Sequence, residues 1–334
     1  MSFFKNNSPY IIAEIASAHE GNPDLAIELS NFASKSNADA VKFQIFKTEK
    51  LLSIQNPHYN EFKEIELSSD DWKNVLFSIS NNKISLIVEA FDQESLLFAK
   101  SLNIFDAYKI PASCLNAHST YKIYKKMKKP LILGIGGATF NEIKNIYDEF
   151  KTDIKDLVLM CGFQNFPTKT EDAKLSQIKY LKNNFNCDFC YADHIDSENK
   201  NLSTMISVFA YGLGAIVFEK HITKNREKKG KDYYSSLNPD EFNEYVKFIK
   251  TCKTSYGNSI NWTLTEAEIK YNKFSKKYAV ASCNIQKGDQ LSGDNIVFKR
   301  TNEIGITQDD FKNYIGRKIN KEKNSDEIIS LEDI

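Results

Sequence analysis

Ala215-Ile216-Val217-Phe218-Glu219-Lys220-His221 runs four apolar residues straight into three ionisable ones. A short, β-branched and aromatic run of this kind reads as a buried strand. Groups such as Glu and His at its end are not accepted in a core unless they are paired. The same arrangement occurs twice more. Tyr10-Ile11-Ile12-Ala13-Glu14 leads to Ala18-His19-Glu20-Gly21, and the run at 188–192 ends in Ala192-Asp193-His194. A strand that delivers a His or a carboxylate at its C-terminal end, three times over, points to groups converging on one face of a parallel barrel.

Working outward from these strands, the chain alternates strand and helix eight times. Strands are expected at 10–15, 40–44, 85–89, 107–110, 131–134, 157–160, 188–192 and 215–219. Amphipathic helices follow at 24–37, 70–82, 93–102, 119–128, 141–150, 175–185, 199–211 and 240–253. Ser68 or Ser69 serves as N-cap of the second helix, and Asp70-Asp71 suits the positive end of its dipole. Strands separated by helices imply right-handed crossovers and a parallel sheet. Eight units in about 250 residues is the size of a closed (β/α)8 TIM barrel, of class α/β, with a doubly wound open sheet as the rival. Residues 1–255 form this barrel, and 256–275, polar and irregular in sequence, read as a linker. In 276–334 two strand-like runs surround the turn signal Lys287-Gly288-Asp289, the pattern of a small, loop-rich domain.

Composition excludes several classes of function. The 334 residues are 41% hydrophobic and 26% charged with a formal net charge of +0, so neither a nucleic acid nor a membrane surface is expected as partner. No apolar run of about 18 residues suggests a membrane span, and the first residues lack a signal-peptide core. The 6 scattered Cys fit a reducing, cytoplasmic setting. Cys187 and Cys190 stand three apart on a strand, so they face opposite ways and read as ordinary buried thiols.

Candidate chemistry lies at the strand ends. Lys42 and Gln44 end the second strand and Lys109 the fourth, where a lysine in an apolar run either faces an anionic substrate or pairs with Glu14 or Glu89. His194 and His221 end neighbouring strands, so two neutral imidazoles can share one divalent ion, with water filling its other positions and Asp193 and Glu219 as supporting partners. His19, in the first loop, is a candidate for substrate binding or acid/base work, while His58 and His118 read as loop residues.

At these residues the chain resembles the sialic acid synthase family. Ile11-Ile12-Ala13-Glu14-Ile15, Asn37-Ala38-Asp39-Ala40-Val41-Lys42-Phe43-Gln44, Tyr108-Lys109-Ile110, Asp193-His194, Glu219-Lys220-His221-Ile222-Thr223 and Leu237-Asn238-Pro239-Asp240 are similar to family motifs, in the family's order. The tail, with Ile285-Gln286-Lys287-Gly288 and Asn295-Ile296-Val297-Phe298-Lys299-Arg300, is similar to its antifreeze-like (SAF) domain. The resemblance implies an enzyme that condenses phosphoenolpyruvate with an open-chain N-acylated amino sugar and releases phosphate. It implies Mn2+ or Mg2+ on His194 and His221, and substrate-site roles for Glu14, Lys42, Gln44, Lys109 and Asp232. It also implies a homodimer with exchanged tail domains, in which Arg300 reaches the partner's sugar.

The departures concern the phosphate. Where the family places hydroxyl side chains, this chain has Glu89, Ala112, Gly134 and Ala192. Each missing hydrogen bond to a charged group is worth roughly 1.5–3 kcal/mol, and a carboxylate at 89 repels a phosphate. Ala18-His19-Glu20-Gly21 stands for the family's Asn-His-x-Gly, and the segment after the sixth strand, with Gln164 and Asn165 as substrate-binding candidates, is one residue longer. An alternative follows: a divergent metal-dependent lyase or aldolase acting on a non-phosphorylated 2-oxo acid or sugar acid, with Glu89 as acid/base.

Overall fold

The computed structural model describes residues 3–4, 9–162, 165, 167–257 and 261–334. Two compact units divide the chain, Met1–Gly257 and Asn258–Ile334.

In the first unit, strands β1 (Tyr10–Glu14), β2 (Ala40–Ile45), β3 (Ser85–Ala90), β4 (Ala107–Ile110), β5 (Leu131–Gly134), β6 (Leu157–Cys161), β7 (Asp188–Asp193) and β8 (Val217–Ile222) lie side by side in sequence order, and β1 also pairs with β8. All these pairings are parallel. The sheet closes on itself: this is a (β/α)8 TIM barrel. The crossovers are α1 (Pro23–Lys35), the short α2 (Thr48–Leu51) and α3 (Tyr59–Ile65) ahead of α4 (Ser69–Ile79), then α5 (Gln93–Leu102), α6 (His118–Met127), α7 (Phe140–Phe150), α8 (Ser176–Asn184), α9 (Lys200–Leu213) and α10 (Pro239–Tyr256). A two-residue strand, β9 (Ser236–Leu237), extends the sheet beyond β8.

Local chemistry explains the boundaries. Asn22 accepts from the backbone of Asp24 and Leu25 ahead of Pro23, and Ser68 forms a reciprocal capping box with Asp71. Thr139 with Glu142 and Asn238 with Glu241 repeat that box. Two departures from the expected elements have simple causes. His118 is the first residue of α6 rather than a loop residue. Neither α2 nor α3 was expected, because each is too short to show an apolar period.

Period-two alternation sorts each strand. Odd positions of β1 such as Ile11 and even positions of β8 such as Phe218 pack against the helices, in the outer core with Val41, Phe43, Val88 and Leu133. Ile12, Ala40, Ile87, Ala107, Ile132, Val158, Cys190 and Val217 fill the barrel interior, with Phe4 and Tyr10 below them. Cys190 therefore faces inward and is fully buried; burial raises its thiol, and raises that of Cys187 to about 12. Both are free.

The second unit holds α11 (Glu266–Ser275), the antiparallel pair β10 (Lys277–Ala281) and β11 (Ile296–Arg300), and α12 (Gln308–Phe311). Its core gathers Ala279, Ala281, Ile285, Leu291, Ile296, Ile306, Phe311, Ile319 and Ile329. Gly288 turns the chain at φ +96°, where Asp289 accepts from the backbone N–H of Gln286. The stretch expected as an irregular linker instead contains α11. Thr265 and Glu268 form its capping box, but the helix buries no residue, so no amphipathic pattern announces it.

Candidate active site

The next inward positions up the barrel change character. Two residues above Ile12, Ala40, Ile87, Ala107 and Val217 stand Glu14, Lys42, Glu89, Lys109 and Glu219, all at most 2% exposed. Register brings them level: Glu14 is opposite Lys42 and Glu89 opposite Lys109. Lys42 Nζ contacts Glu14 and lies 2.5 Å from Glu89 Oε2 and 3.0 Å from Glu219 Oε2. Lys109 Nζ lies 3.0 Å from Glu219 Oε1 and 3.3 Å from Glu89 Oε1. Gln44 Nε2 donates to Glu89 Oε2 at 3.2 Å, and Glu14 Oε1 accepts from Ala16 N–H at 2.8 Å. Three carboxylates against two ammonium groups leave one excess negative charge when all are ionised.

Burial and pairing act against each other on every member. Burial would raise Glu219, but Lys109 and Lys42 outweigh it and hold the carboxyl at about 2. Glu89 is lowered in the same way, its burial outweighed by Lys109 and then Lys42. Burial prevails at Lys42, which is lowered despite Glu219 and Glu89; at Lys109 the same two carboxylates prevail over burial and raise it. The ion pairs considered as the structural alternative for the lysines are present, in the same cluster as the candidate catalytic groups.

His221 lies inside β8 opposite Glu14, and His194 directly follows β7. Their Nε2 atoms are 3.3 Å apart. A His–metal bond of about 2.0–2.1 Å puts two nitrogens of one coordination sphere about 3.0–3.4 Å apart, so the pair fits a single ion. Burial lowers His194 to about 4 and His221 well below its ordinary value, keeping both as the neutral imidazoles that bind metal. Among the described residues no group of three or more His, Cys, Asp or Glu forms a fuller ligand set. An ion on two imidazoles would keep positions open for water or substrate oxygen, as a catalytic site does.

Other candidates lie elsewhere. Asp193 is buried, but on the outer face of β7: it accepts from Ser203 Oγ and from Ile195 N–H at 2.9 Å, and pairs with Lys220 at 3.1 Å. Adjacent strand residues face opposite ways, so Asp193 braces α9 while His194 continues the inward series of Cys190 and Ala192. The neutral ring of His19, lowered by burial to about 4, meets the edge of Trp72 and accepts the Gly21 N–H on Nδ1 at 3.1 Å, which leaves the proton on Nε2. Asp232, at φ +59°, accepts from Ser17 N–H at 3.0 Å and ties the loop after β8 to the loop after β1. Glu20 joins the same seam through Lys231 N–H at 3.3 Å. Gly230 lies against the end of the Glu20 side chain, which would have to swing away from a Cβ placed there. Asn165 is exposed, its carbonyl accepting from Thr168 Oγ1 at 3.0 Å. Gln164 lies outside the described residues. Arg300 ends β11 in the second unit, exposed, donating from Nε to Ser275 O at 3.1 Å. Glu219 was expected to support the histidines and instead bridges both lysines. Its inward parity with His221 was the available signal.

The NeuB family model matches residues 29–261. The chain belongs to the NeuB family, the sialic acid synthases. An uncharacterized protein of Methanocaldococcus jannaschii is 31% identical over 99% of this chain and 96% of its own length. A pseudaminic acid synthase of Campylobacter jejuni is 28% identical over 96% of this chain and 95% of its own. Among solved structures, an N-acetylneuraminic acid synthetase from Leptospira borgpetersenii, in complex with citrate, matches with a TM-score of 0.73 at 25% identity, over 80% of this chain and 92% of that one. This NeuB-family chain is therefore an enzyme, a synthase that forms a carbon–carbon bond. Among the described residues no helix is long and apolar enough to cross a membrane.

Proposed function

We propose that this protein condenses phosphoenolpyruvate with an open-chain N-acylated amino sugar, yielding a nonulosonic acid and inorganic phosphate with the aid of Mn2+ or Mg2+. The observation that carries the reading is the convergence, at one end of a closed barrel, of a 3.3 Å imidazole pair and a buried two-lysine cluster. Relatives named as pseudaminic and N-acetylneuraminic acid synthases support the substrate class. In the balanced reaction C3 of phosphoenolpyruvate bonds to the aldehyde carbon, water supplies the new oxygen at C2, and phosphate leaves.

His194 and His221 would hold the ion, which supplies a Lewis acid for the aldehyde oxygen. Lys42 and Lys109 supply the positive charge for the carboxylate and phosphate, and their burial makes each interaction stronger than it would be in water. One ammonium of this buried pair is the donor we assign to the alkoxide that forms from the aldehyde. Glu14, itself in contact with Lys42, holds that ammonium in place. Asp232 and the loops after β1 and β8, joined through the Ser17 N–H, would meet the sugar.

The proposal extends to a homodimer with exchanged SAF-type domains, each giving Arg300 to its partner. Mixing Arg300→Ala with His194→Ala subunits then restores part of the activity lost by each alone; verified heterodimers without recovery contradict the exchange. The reaction itself is tested with purified protein, phosphoenolpyruvate, Mn2+ and a panel of mono- and di-N-acetylated amino sugars. Phosphate release matched by a nonulosonic acid in the mass spectrum is expected with at least one sugar. Phosphate release without that product, or none with any sugar, overturns the reading.

A further inference from the structure

Glu89 has no part in the reaction as written, yet it is wholly buried among the groups that carry it. Its Oε2 meets Lys42 Nζ at 2.5 Å and Gln44 Nε2 at 3.2 Å, and its Oε1 lies 3.3 Å from Lys109 Nζ. A carboxylate whose two oxygens share two ammonium groups and an amide is the arrangement of a bound anion. Here the anion belongs to the chain, and its donors are the ones assigned above to the substrate.

Charge and space agree on what this does. Without Glu89, the two lysines balance Glu14 and Glu219; with it, the pocket is one negative charge in excess. Two nearby positions, Ala192 and Gly134, carry no side-chain donor. Ala192 is buried and apolar. At Gly134 a Cβ would sit 3.1 Å from Ala112 N and 3.3 Å from Ile110 O, so a hydroxyl could enter there only if the backbone gave way.

We infer that Glu89 is the specificity-determining residue of the anion subsite: it occupies the donors of Lys42, Lys109 and Gln44, so that a doubly charged phosphate group binds only by displacing it, whereas a singly charged carboxylate is far less disfavoured. This inference rests on the reading of the lysine pair as the phosphoenolpyruvate site. It assigns to one residue an affinity and a charge preference that the reading leaves open.

Calorimetric titration of the full chain with phosphoenolpyruvate, inorganic phosphate and pyruvate tests it, comparing the unmodified protein with Glu89→Gln and Glu89→Thr. One neighbouring like charge shifts the interaction of an ionised group by about 10- to 1000-fold. Both variants should therefore bind phosphoenolpyruvate and phosphate at least about tenfold more tightly, with pyruvate changed by less than about threefold. No gain for the phosphates, or an equal gain for pyruvate, overturns the assignment. If neither variant folds, the unmodified protein decides. Phosphoenolpyruvate binding no tighter than pyruvate supports the inference, and submicromolar phosphoenolpyruvate binding overturns it. The two readings fail separately. Turnover to a nonulosonic acid with no gain in the variants removes only the role of Glu89. A gain in phosphate binding without turnover in any protein removes only the proposed reaction.

Discussion

Glu89 in the barrel and Asp333 in the second unit are both wholly buried carboxylates held by two lysines, yet their surroundings differ. The partners of Asp333, Lys321 at 2.7 Å and Lys323 at 2.8 Å, are 53% and 13% exposed, so their charges keep much of their hydration. The partners of Glu89, Lys42 and Lys109, are at most 1% exposed and must also satisfy Glu14 and Glu219. A capped carboxylate whose partner lysines reach solvent is an inexpensive way to hold a turn, as the Ser330–Asp333 box does here. Five ionised groups inside a barrel cost several kcal/mol each in lost hydration, and apolar residues of similar size would serve stability as well or better.

The largest expected effect separates the site from its scaffold. His194→Ala or His221→Ala should lower metal-dependent turnover by at least about a hundredfold, the scale of several kcal/mol of charge stabilisation, with an unchanged circular dichroism spectrum. Next, Lys109→Met should destabilise the barrel by about 3–5 kcal/mol in denaturant melts, because it strands Glu89 and Glu219 beside a single remaining lysine. Lys321→Met should cost less than about 1 kcal/mol. Equal losses would erase the contrast between the two carboxylates. Beside the cluster, Ile132→Ala, opposite Lys109 in register, should cost about 2–5 kcal/mol through its cavity while metal binding persists.

The smallest effect is one of pH. Burial would raise Asp333, but Lys321, Lys323 and Ser330 outweigh it and hold the carboxyl at about 2. A depressed carboxyl contributes stability above its unfolded value, near 3.8, and loses it as pH falls through about 2. Asp333→Asn should therefore lower the melting temperature of the second unit at pH 7, by an amount that shrinks between about pH 4 and pH 2. A difference independent of pH would mean that packing, not charge, holds this end.

The barrel was legible because its strands are short apolar runs and its helices carry caps and an apolar face; the family motifs then fixed their order. What escaped were features without a period: α2, α3 and α11, which buries no residue. In the site, strand ends gave Glu14, Lys42, Glu89, Lys109, His194 and His221, since a charge in an apolar run stands out. Asp193 was misplaced because Asp193-His194 was read as one unit, although alternation sends the two side chains to opposite faces of β7. Glu219 was read as a partner of the histidines when its position puts it between the lysines. Which groups share a proton or an ion depends on cross-barrel distances, and no spacing along the chain contains those.

The most direct test of the working site is a Mn2+ titration followed by electron paramagnetic resonance, on the unmodified chain and on His194→Ala with His221→Ala. One ion bound per chain in the first and none in the second is the predicted result. Equal Mn2+ binding by both proteins, or none by either, would contradict the account and leave the buried charges a feature of the fold alone.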